Sequence, residues 1–292
     1  MEHAAVKREH TKKRRNTLPG NKMTPLMAVI TVLLFIYFIL VAYPLFWMIC
    51  NSLKDYMEIY KHIWALPEDP QWGNYALAWE RGISKYFLNS VLVTGSTIFG
   101  AILVSALASY SLSRFRFKGN QLIFILCMGG MMLSPQVTLI PLYKIIQALH
   151  IHNTYLALII PYTAYRIPLI VMLIRSHFLS IPKEIEESAA LDGCSSFEIF
   201  YKIFLPMSKP ILLTCTILIA YYAWNEFLYS LILMNSSEKM TVAVALKSLQ
   251  GQEVLDWGVM MAASAVVVIP SVVFFMLIQK KIAGGLAAGS VK

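Results

Sequence analysis

The sequence predicts an all-α fold, a polytopic membrane bundle of six transmembrane helices. Of its 292 residues, 58% are hydrophobic and only 14% are charged. The hydrophobic residues gather in six stretches of 20 to 25 residues, which together contain only two charged side chains. A helix rises about 1.5 Å per residue, so each stretch can cross a hydrocarbon layer about 30 Å thick. These observations exclude a disordered chain, a secreted disulfide scaffold and a soluble two-domain enzyme.

The predicted spans form one transmembrane domain, residues 26–282. In chain order they cover residues 26–50, 90–112, 121–143, 155–174, 210–233 and 259–279. A basic segment, residues 1–25, precedes this domain, and a tail rich in small residues, 283–292, follows it. The first apolar run has no small-x-small cleavage site, so we expect a retained span and not a signal peptide.

The Lys and Arg counts of the loops predict the orientation, because cationic flanks are retained on the cytoplasmic side. With both termini inside, the cytoplasmic segments hold seventeen basic residues and the outer loops hold seven. The net charge of +9 therefore indicates topology and attraction to anionic membrane lipid. It does not indicate a nucleic-acid partner.

The outer segment between the first two spans, residues 51–89, is rich in aromatic residues, including Trp64, Trp72 and Trp79. Two interpretations fit this composition. The side chains could form an aromatic belt at the membrane interface, or they could form a docking surface for an external partner.

The loop between spans four and five, residues 179–209, predicts a helix, a turn and a second helix. A first helix can start at Pro182, where a missing N–H costs nothing, and several glutamates follow it in the first turns. Asp192-Gly193 suits a tight turn. Ser195 and Glu198 then have the spacing of a capping box.

The second predicted helix of this loop is apolar and aromatic, and Leu205-Pro206 is expected to end it before the fifth span. Physical reasoning leaves two interpretations open. The hairpin could pack on its own bundle and merely link two spans, or its large apolar face could bind a partner.

The pattern of this loop resembles the EAA loop of the integral membrane subunits of binding-protein-dependent ABC importers. Glu187-Ser188-Ala189 is followed by Gly193 and then by Ile203-x-Leu205-Pro206, with Ser188 where the family usually has alanine. Further segments make most of the chain similar to the carbohydrate permeases of the maltose type, in particular to the shorter, six-span member of the permease pair: Pro44-Leu45-Phe46-Trp47-Met48, Ser52-Leu53-Lys54, Tyr75, Asn89-Ser90, Ile181-Pro182-Lys183-Glu184, Trp224-Asn225-Glu226-Phe227 and Gly285 to Lys292.

The resemblance implies a permease subunit of an ATP-driven importer for a sugar or oligosaccharide, in a bacterial inner membrane. It implies a second permease as heterodimer partner, two ATPase subunits and an extracytoplasmic sugar-binding protein. The expected ATPase-coupling residues are Glu187, Ser188, Ala189, Asp192, Gly193, Ile203, Leu205 and Pro206. The tail from Gly285 to Val291 would reach the ATPase interface, unless it is a frayed terminus.

The chain is not expected to be an enzyme or to bind a cofactor itself. It lacks the GxxxxGK[ST] phosphate loop, so ATP and Mg²⁺ are expected on the partner ATPase. His150-x-His152 lacks a carboxylate or cysteine nearby, so we expect no metal site.

The two charges within the spans, Arg166 and Glu226, are functional candidates because an ionisable residue at bilayer depth costs about 2.5 to 3.5 kcal/mol. They could form a structural ion pair, be hydrated by the pathway or contact the substrate. Aromatic and amide groups suited to sugars lie beside Glu226. The predicted substrate-pathway set is Tyr221, Tyr222, Trp224, Asn225 and Glu226, and the role of Arg166 is left open.

An ion-coupled secondary transporter is the alternative function. Such a protein is expected to carry paired broken helices, an inverted repeat and several buried acids. This sequence contains a single acid within the spans and no detectable repeat.

Overall fold

The computed structural model describes residues 25–249 and 256–289, and every regular element in these ranges is helical. The chain forms two compact units, which divide after residue 47 within the first helix, α1 (Pro25–Ser52). Up to residue 47, the side chains of α1 are apolar and largely exposed, as expected of a helix that faces lipid.

The second unit begins with the last residues of α1, 48–52, and continues with short helices. These are α2 (Tyr56–Lys61) and α3 (Gly73–Ala78), and α3 leads through a wide turn at Trp79–Ile83 into α4 (Ser84–Arg114). The helix that contains span two therefore begins at Ser84, before the predicted start of the span at residue 90.

The helices α4 and α7 (Leu156–Ser180) pack along one another more extensively than any other pair in the described chain. Small side chains on one face of α4 permit this approach, among them the buried Ala101, Ser105 and Ser109. The hydroxyl of Ser109 donates to the carbonyl of Val171 at 3.2 Å. The two helices therefore form the centre of the bundle.

Span three is not the continuous helix predicted over 121–143. It consists of α5 (Asn120–Gly129) with a short 3-10 turn at Gly130–Met132, followed by α6 (Pro135–Ala148), and the two parts are bent by 104°. Ser134 is extended (φ −73°, ψ 137°) because the proline after it disfavours the helical conformation. The apolar run predicts a span over these residues, but it indicates the surrounding solvent and not the continuity of the helix.

Span five, predicted over 210–233, is also interrupted. Its helix α11 (Lys209–Asn225) ends where Glu226 turns extended, and a short helix α12 (Leu228–Leu233) follows. After α12 come α13 (Val242–Leu249) and α14 (Trp257–Gly289), the last span. Within residues 25–249 and 256–289, four helices are long and apolar enough to cross a membrane, or up to six if each bent pair counts as one span.

Candidate functional sites

The segment between α7 and α11 folds as a hairpin, which we call the 183–207 hairpin. Its first helix is α8 (Lys183–Leu191), and its second arm comprises α9 (Ser196–Ile199), a wide turn at Phe200–Phe204 and α10 (Leu205–Met207). The predicted second helix continues through Leu205-Pro206, and the bend to α11 comes one residue after α10, with an angle of 77°.

Gly193 closes the turn between the two arms with a left-handed backbone (φ +85°). Its N–H donates to the carbonyl of Ala190 at 3.1 Å, and the N–H of Cys194 donates to Ala189 at 3.0 Å, which satisfies carbonyls at the end of α8. A Cβ added to Gly193 would meet nothing within 4 Å. The turn therefore needs glycine for its backbone conformation and not for space.

A complete capping box starts the second arm, as the sequence predicted. The Ser195 hydroxyl accepts from the N–H of Glu198, and the Glu198 carboxylate accepts from the N–H of Ser195 at 2.9 Å. Lys202, one turn along, donates to the same carboxylate at 2.8 Å. This ammonium, together with the Ser195 bonds, lowers the pKa of Glu198 to about 2, and the carboxylate in turn raises the pKa of Lys202.

The hairpin has one packed face and one open face. Ala189, Ile199 and Phe204 are buried against α4 and α7, while Leu191 is 90% exposed and Phe197 is 65% exposed at the tip. The hairpin therefore packs on its own bundle and also presents apolar groups outward, and the binding of a partner to this face stays a prediction.

The eight residues with an expected coupling role lie along the whole hairpin. Glu187, Ser188 and Ala189 are in α8, Asp192 and Gly193 form the turn, Ile203 lies in the wide turn, and Leu205 and Pro206 are in α10. The Ser188 hydroxyl donates to the carbonyl of Glu184 at 2.8 Å, so serine fits within this helix in place of alanine.

Glu226 stabilises the break in span five. Its carboxylate accepts from the N–H of Tyr229 at 3.0 Å and from the hydroxyl of Tyr162 at 2.6 Å. The carboxylate thus lies at the amino end of α12, where the helix dipole favours negative charge. Tyr162 was not singled out from the sequence, although it lies one helical turn before Arg166.

Arg166 and Glu226 do not form the ion pair that was one of the sequence interpretations. The guanidinium of Arg166 lies 3.6 Å above the ring centre of Tyr222, and the ion pairs of the described chain are Arg114–Glu186 and Glu198–Lys202. Each intramembrane charge is therefore matched by a tyrosine of the neighbouring helix.

Of the five predicted pathway residues, some are packed in the bundle and others are exposed. Trp224 is 4% exposed, lies between aromatic rings of α4 and α14, and donates from its indole nitrogen to the carbonyl of Val267 at 3.2 Å. Tyr221 and Asn225 are exposed. The side-chain oxygen of Asn225 accepts from Ser271 at 2.8 Å, which adds a serine that sequence reasoning missed.

The segment between α1 and α4, which the sequence predicts to lie outside, is held by buried polar groups. Lys54 is fully buried, and its ammonium donates to the carbonyl of His62 at 2.8 Å. The amide of Asn74 donates to the carbonyls of Ser52 and Lys54, both at 2.9 Å. Trp64 and Trp72 are exposed, so the segment presents aromatic side chains outward from a fixed backbone.

The described residues thus form a polytopic helical bundle with a partly unpacked hairpin between two spans. Residues 101–287 match the family described as binding-protein-dependent transport system inner membrane component. The chain belongs to this family and is a permease subunit of an ABC transporter in the inner membrane. The predicted family is confirmed, and an ion-coupled secondary transporter is not favoured.

Individual relatives resemble the chain over most of its length. It is 49% identical over 261 residues to the probable ABC transporter permease protein YurM of Bacillus subtilis, covering 89% of this chain and 87% of that one. It is 34% identical to the trehalose/maltose transport system permease protein MalG of Thermococcus litoralis, covering 91% and 94%. The fold is similar to a chain of a crystallised bacterial alginate ABC importer, with a TM-score of 0.77, 22% identity and coverage of 87% and 95%.

Proposed function

We propose that this chain forms half of the translocation pathway of an ATP-driven importer of a sugar or oligosaccharide. The observation that supports it best is the similarity to sugar permeases over nearly the whole chain, including those for trehalose/maltose and for arabinooligosaccharides. A second, different permease would complete the pathway. The proposed boundaries are a basic segment at 1–25, the permease domain at 26–282 and a tail at 283–292.

The 183–207 hairpin would couple this permease to a separate ATPase subunit. Two such subunits would bind ATP and Mg²⁺ below the permease pair, and both termini of this chain would be cytoplasmic. The exposed Leu191 and Phe197 support a partner at the hairpin tip. Glu187 and Asp192 would meet cationic or amide donors of that partner. Of the tail, residues 290–292 lie outside the described residues.

The outer segment at 51–89 would receive an extracytoplasmic sugar-binding protein. A second structure of the alginate transporter, with a TM-score of 0.62 and 13% identity to this chain, contains an alginate pentasaccharide-bound periplasmic protein. The exposed Trp64 and Trp72 on a fixed backbone support a similar use of this surface here.

Sugar would pass along the exposed polar surface of α11 and α14. Tyr221 and Asn225 would contact it directly, because they are exposed and offer an aromatic face and an amide. Tyr222, Trp224 and Glu226 would shape this surface from within, since their side chains are packed or bonded to neighbouring helices.

Uptake in a strain that lacks the gene for this chain tests the proposal. Radiolabelled trehalose, maltose, raffinose, arabinooligosaccharides and diacetylchitobiose form the panel. We expect one of these sugars to be taken up only when the gene is restored, and uptake to stop when ATP is depleted while the ion gradient is kept. Uptake that continues without ATP would indicate a secondary carrier instead.

A further inference from the structure

The helices α4 and α7 end side by side, and each donates an arginine to the other's last turn. Arg114, the last residue of α4, donates from one guanidinium nitrogen to the carbonyls of Phe178 (2.7 Å) and Ile181 (2.8 Å). Arg175 of α7 donates in return to the carbonyl of Leu112 at 3.3 Å. The last carbonyls of a helix lack partners within it and carry partial negative charge, so a cation is favoured there.

Arg114 also contacts both arms of the 183–207 hairpin. Its Nε lies 3.4 Å from a carboxylate oxygen of Glu186 in α8, and its guanidinium carbon lies 4.7 Å from the ring centre of Phe204 in the second arm. The side chain is only 4% exposed. One buried arginine of span two thus binds the end of α7, the first arm and the second arm.

Aromatic side chains near Arg114 also connect α4 to the hairpin and to α7. Tyr110, one turn earlier on α4, has its ring centre 5.2 Å from Phe200, 5.1 Å from Phe204 and 6.4 Å from Phe178. The hairpin therefore sits on the end of α4, although the chain links it covalently only to α7 and α11.

The geometry of these contacts favours arginine over lysine. A planar guanidinium can donate to two carbonyls, face a carboxylate and stack on a ring at the same time, whereas an ammonium acts as a single point charge. Arg116, two residues further on, is exposed in the loop to α5. The same residue type at a neighbouring position thus serves as a matched control.

We infer that Arg114 is the positioning residue that joins the coupling hairpin to span two. When the ATPase displaces the hairpin, α4 moves with it, and the central α4–α7 pair carries the motion into the bundle. This inference rests on the proposed function of the hairpin. It assigns a transmitting role to a helix that has no covalent link to the hairpin.

The first test measures import per ATP hydrolysed by the complete transporter in proteoliposomes, with the sugar that the uptake panel identifies. We expect Arg114→Gln to lower this ratio about tenfold, since a lost charge-assisted hydrogen bond changes an equilibrium by that order. Arg114→Lys should restore part of the ratio, and Arg116→Gln should leave it unchanged. An unchanged ratio in Arg114→Gln would contradict the inference.

The second test measures distances and does not depend on transport. Spin labels at Lys118 and Met207, both exposed, report the separation of the α4 end from the hairpin after the native cysteines are replaced by alanine. We expect a narrow distribution in the parent chain and a broad one in Arg114→Gln. Glu186→Gln, which removes one partner only, should broaden it less. Equal distributions in all three chains would overturn the inference.

The two experiments separate this inference from the proposed function. If no ATPase binds the parent chain, the proposed function is wrong, and the spin-label distances still test the contact of Arg114. If the ATPase binds and the parent imports sugar, only the Arg114 variants decide the inference.

Discussion

The hydroxyl of Tyr162 donates to the carboxylate of Glu226 at 2.6 Å and thereby joins α7 to the break in span five. Arg166 lies one turn after Tyr162 on α7, and Tyr222 lies one turn before Glu226 on α11. The guanidinium of Arg166 stacks on the ring of Tyr222. The two charges at bilayer depth are thus stabilised separately by tyrosines. The carboxylate of Glu226 also accepts a hydrogen bond from the N–H of Tyr229, so this side chain stabilises the fold.

Tyr162→Phe is expected to destabilise the protein by about 1 to 2 kcal/mol, because the carboxylate of Glu226 loses a buried donor. Thermal unfolding in detergent measures the change. Tyr221→Phe is the matched control, since that tyrosine is exposed on α11. Equal unfolding temperatures for the two variants would contradict a stabilising role of the bond.

Gly193→Val is expected to reduce sugar import at least about tenfold while the protein still inserts, because valine is strained at a positive φ. Gly193→Asn should retain most of the import, since asparagine tolerates this conformation. Uptake and membrane content are measured together. Normal import by the valine variant would exclude a rigid turn as a requirement for coupling.

Gly258→Ala is expected to destabilise the protein by about 1 to 3 kcal/mol. Its Cβ would lie 2.4 Å from the carbonyl oxygen of Lys54, so the start of α14 would have to shift. Gly95→Ala, where nothing lies within 4 Å, is the control and should be neutral or stabilising. Denaturant unfolding of both variants checks the difference, and similar values would rule out this close approach.

The Glu198 carboxyl is expected to titrate near pH 2, as its pKa in the folded chain is about 2 against an ordinary value of 4.5. Since the folded pKa is depressed, the capping box contributes stability above about pH 4.5 and loses it as the pH falls towards 2. Lys202→Met should raise the midpoint, and Lys209→Met should not. Carbon-13 titration of the carboxyl measures it, and an unchanged midpoint in Lys202→Met would refute the assigned cause.

Asn225→Ala is expected to raise the KM for sugar import without a loss of stability, because this amide is exposed and its hydrogen bonds within the described residues are to Tyr221 and Ser271. Trp224→Leu should instead lower the unfolding temperature, since the indole is buried between two aromatic rings. Transport kinetics and unfolding are measured for both. A lower unfolding temperature with unchanged KM in Asn225→Ala would remove it from the pathway.

The hairpin could be predicted closely from the sequence because its signals are local. Pro182, Gly193 and the Ser195/Glu198 pair each determine backbone conformation within a few residues, and the structure has the corresponding helix start, turn and capping box. The class of fold followed from the exclusion of charge from the apolar stretches.

The breaks in spans three and five could not be predicted in the same way. Ser134-Pro135 carried a local signal, but it lay inside a long run without charged residues. The break at Glu226 depends on Tyr162, which lies 64 residues earlier in the chain. Likewise, nothing near Arg114 in the sequence indicates the carbonyls of Phe178 and Ile181 as its partners.

The second arm of the hairpin and α11 are two helical segments joined at an angle of 77°. The bend between them is stabilised, because Ser208 is fully buried and the N–H of Ser208 donates to the carbonyl of Phe204 at 3.0 Å. At about 1.5 Å per residue, α11 is roughly 25 Å long, so tilting it by about 10° would displace its far end by about 4 Å. A small rotation of the hairpin, if transmitted through this bend, would thus displace the far end of α11, next to Glu226.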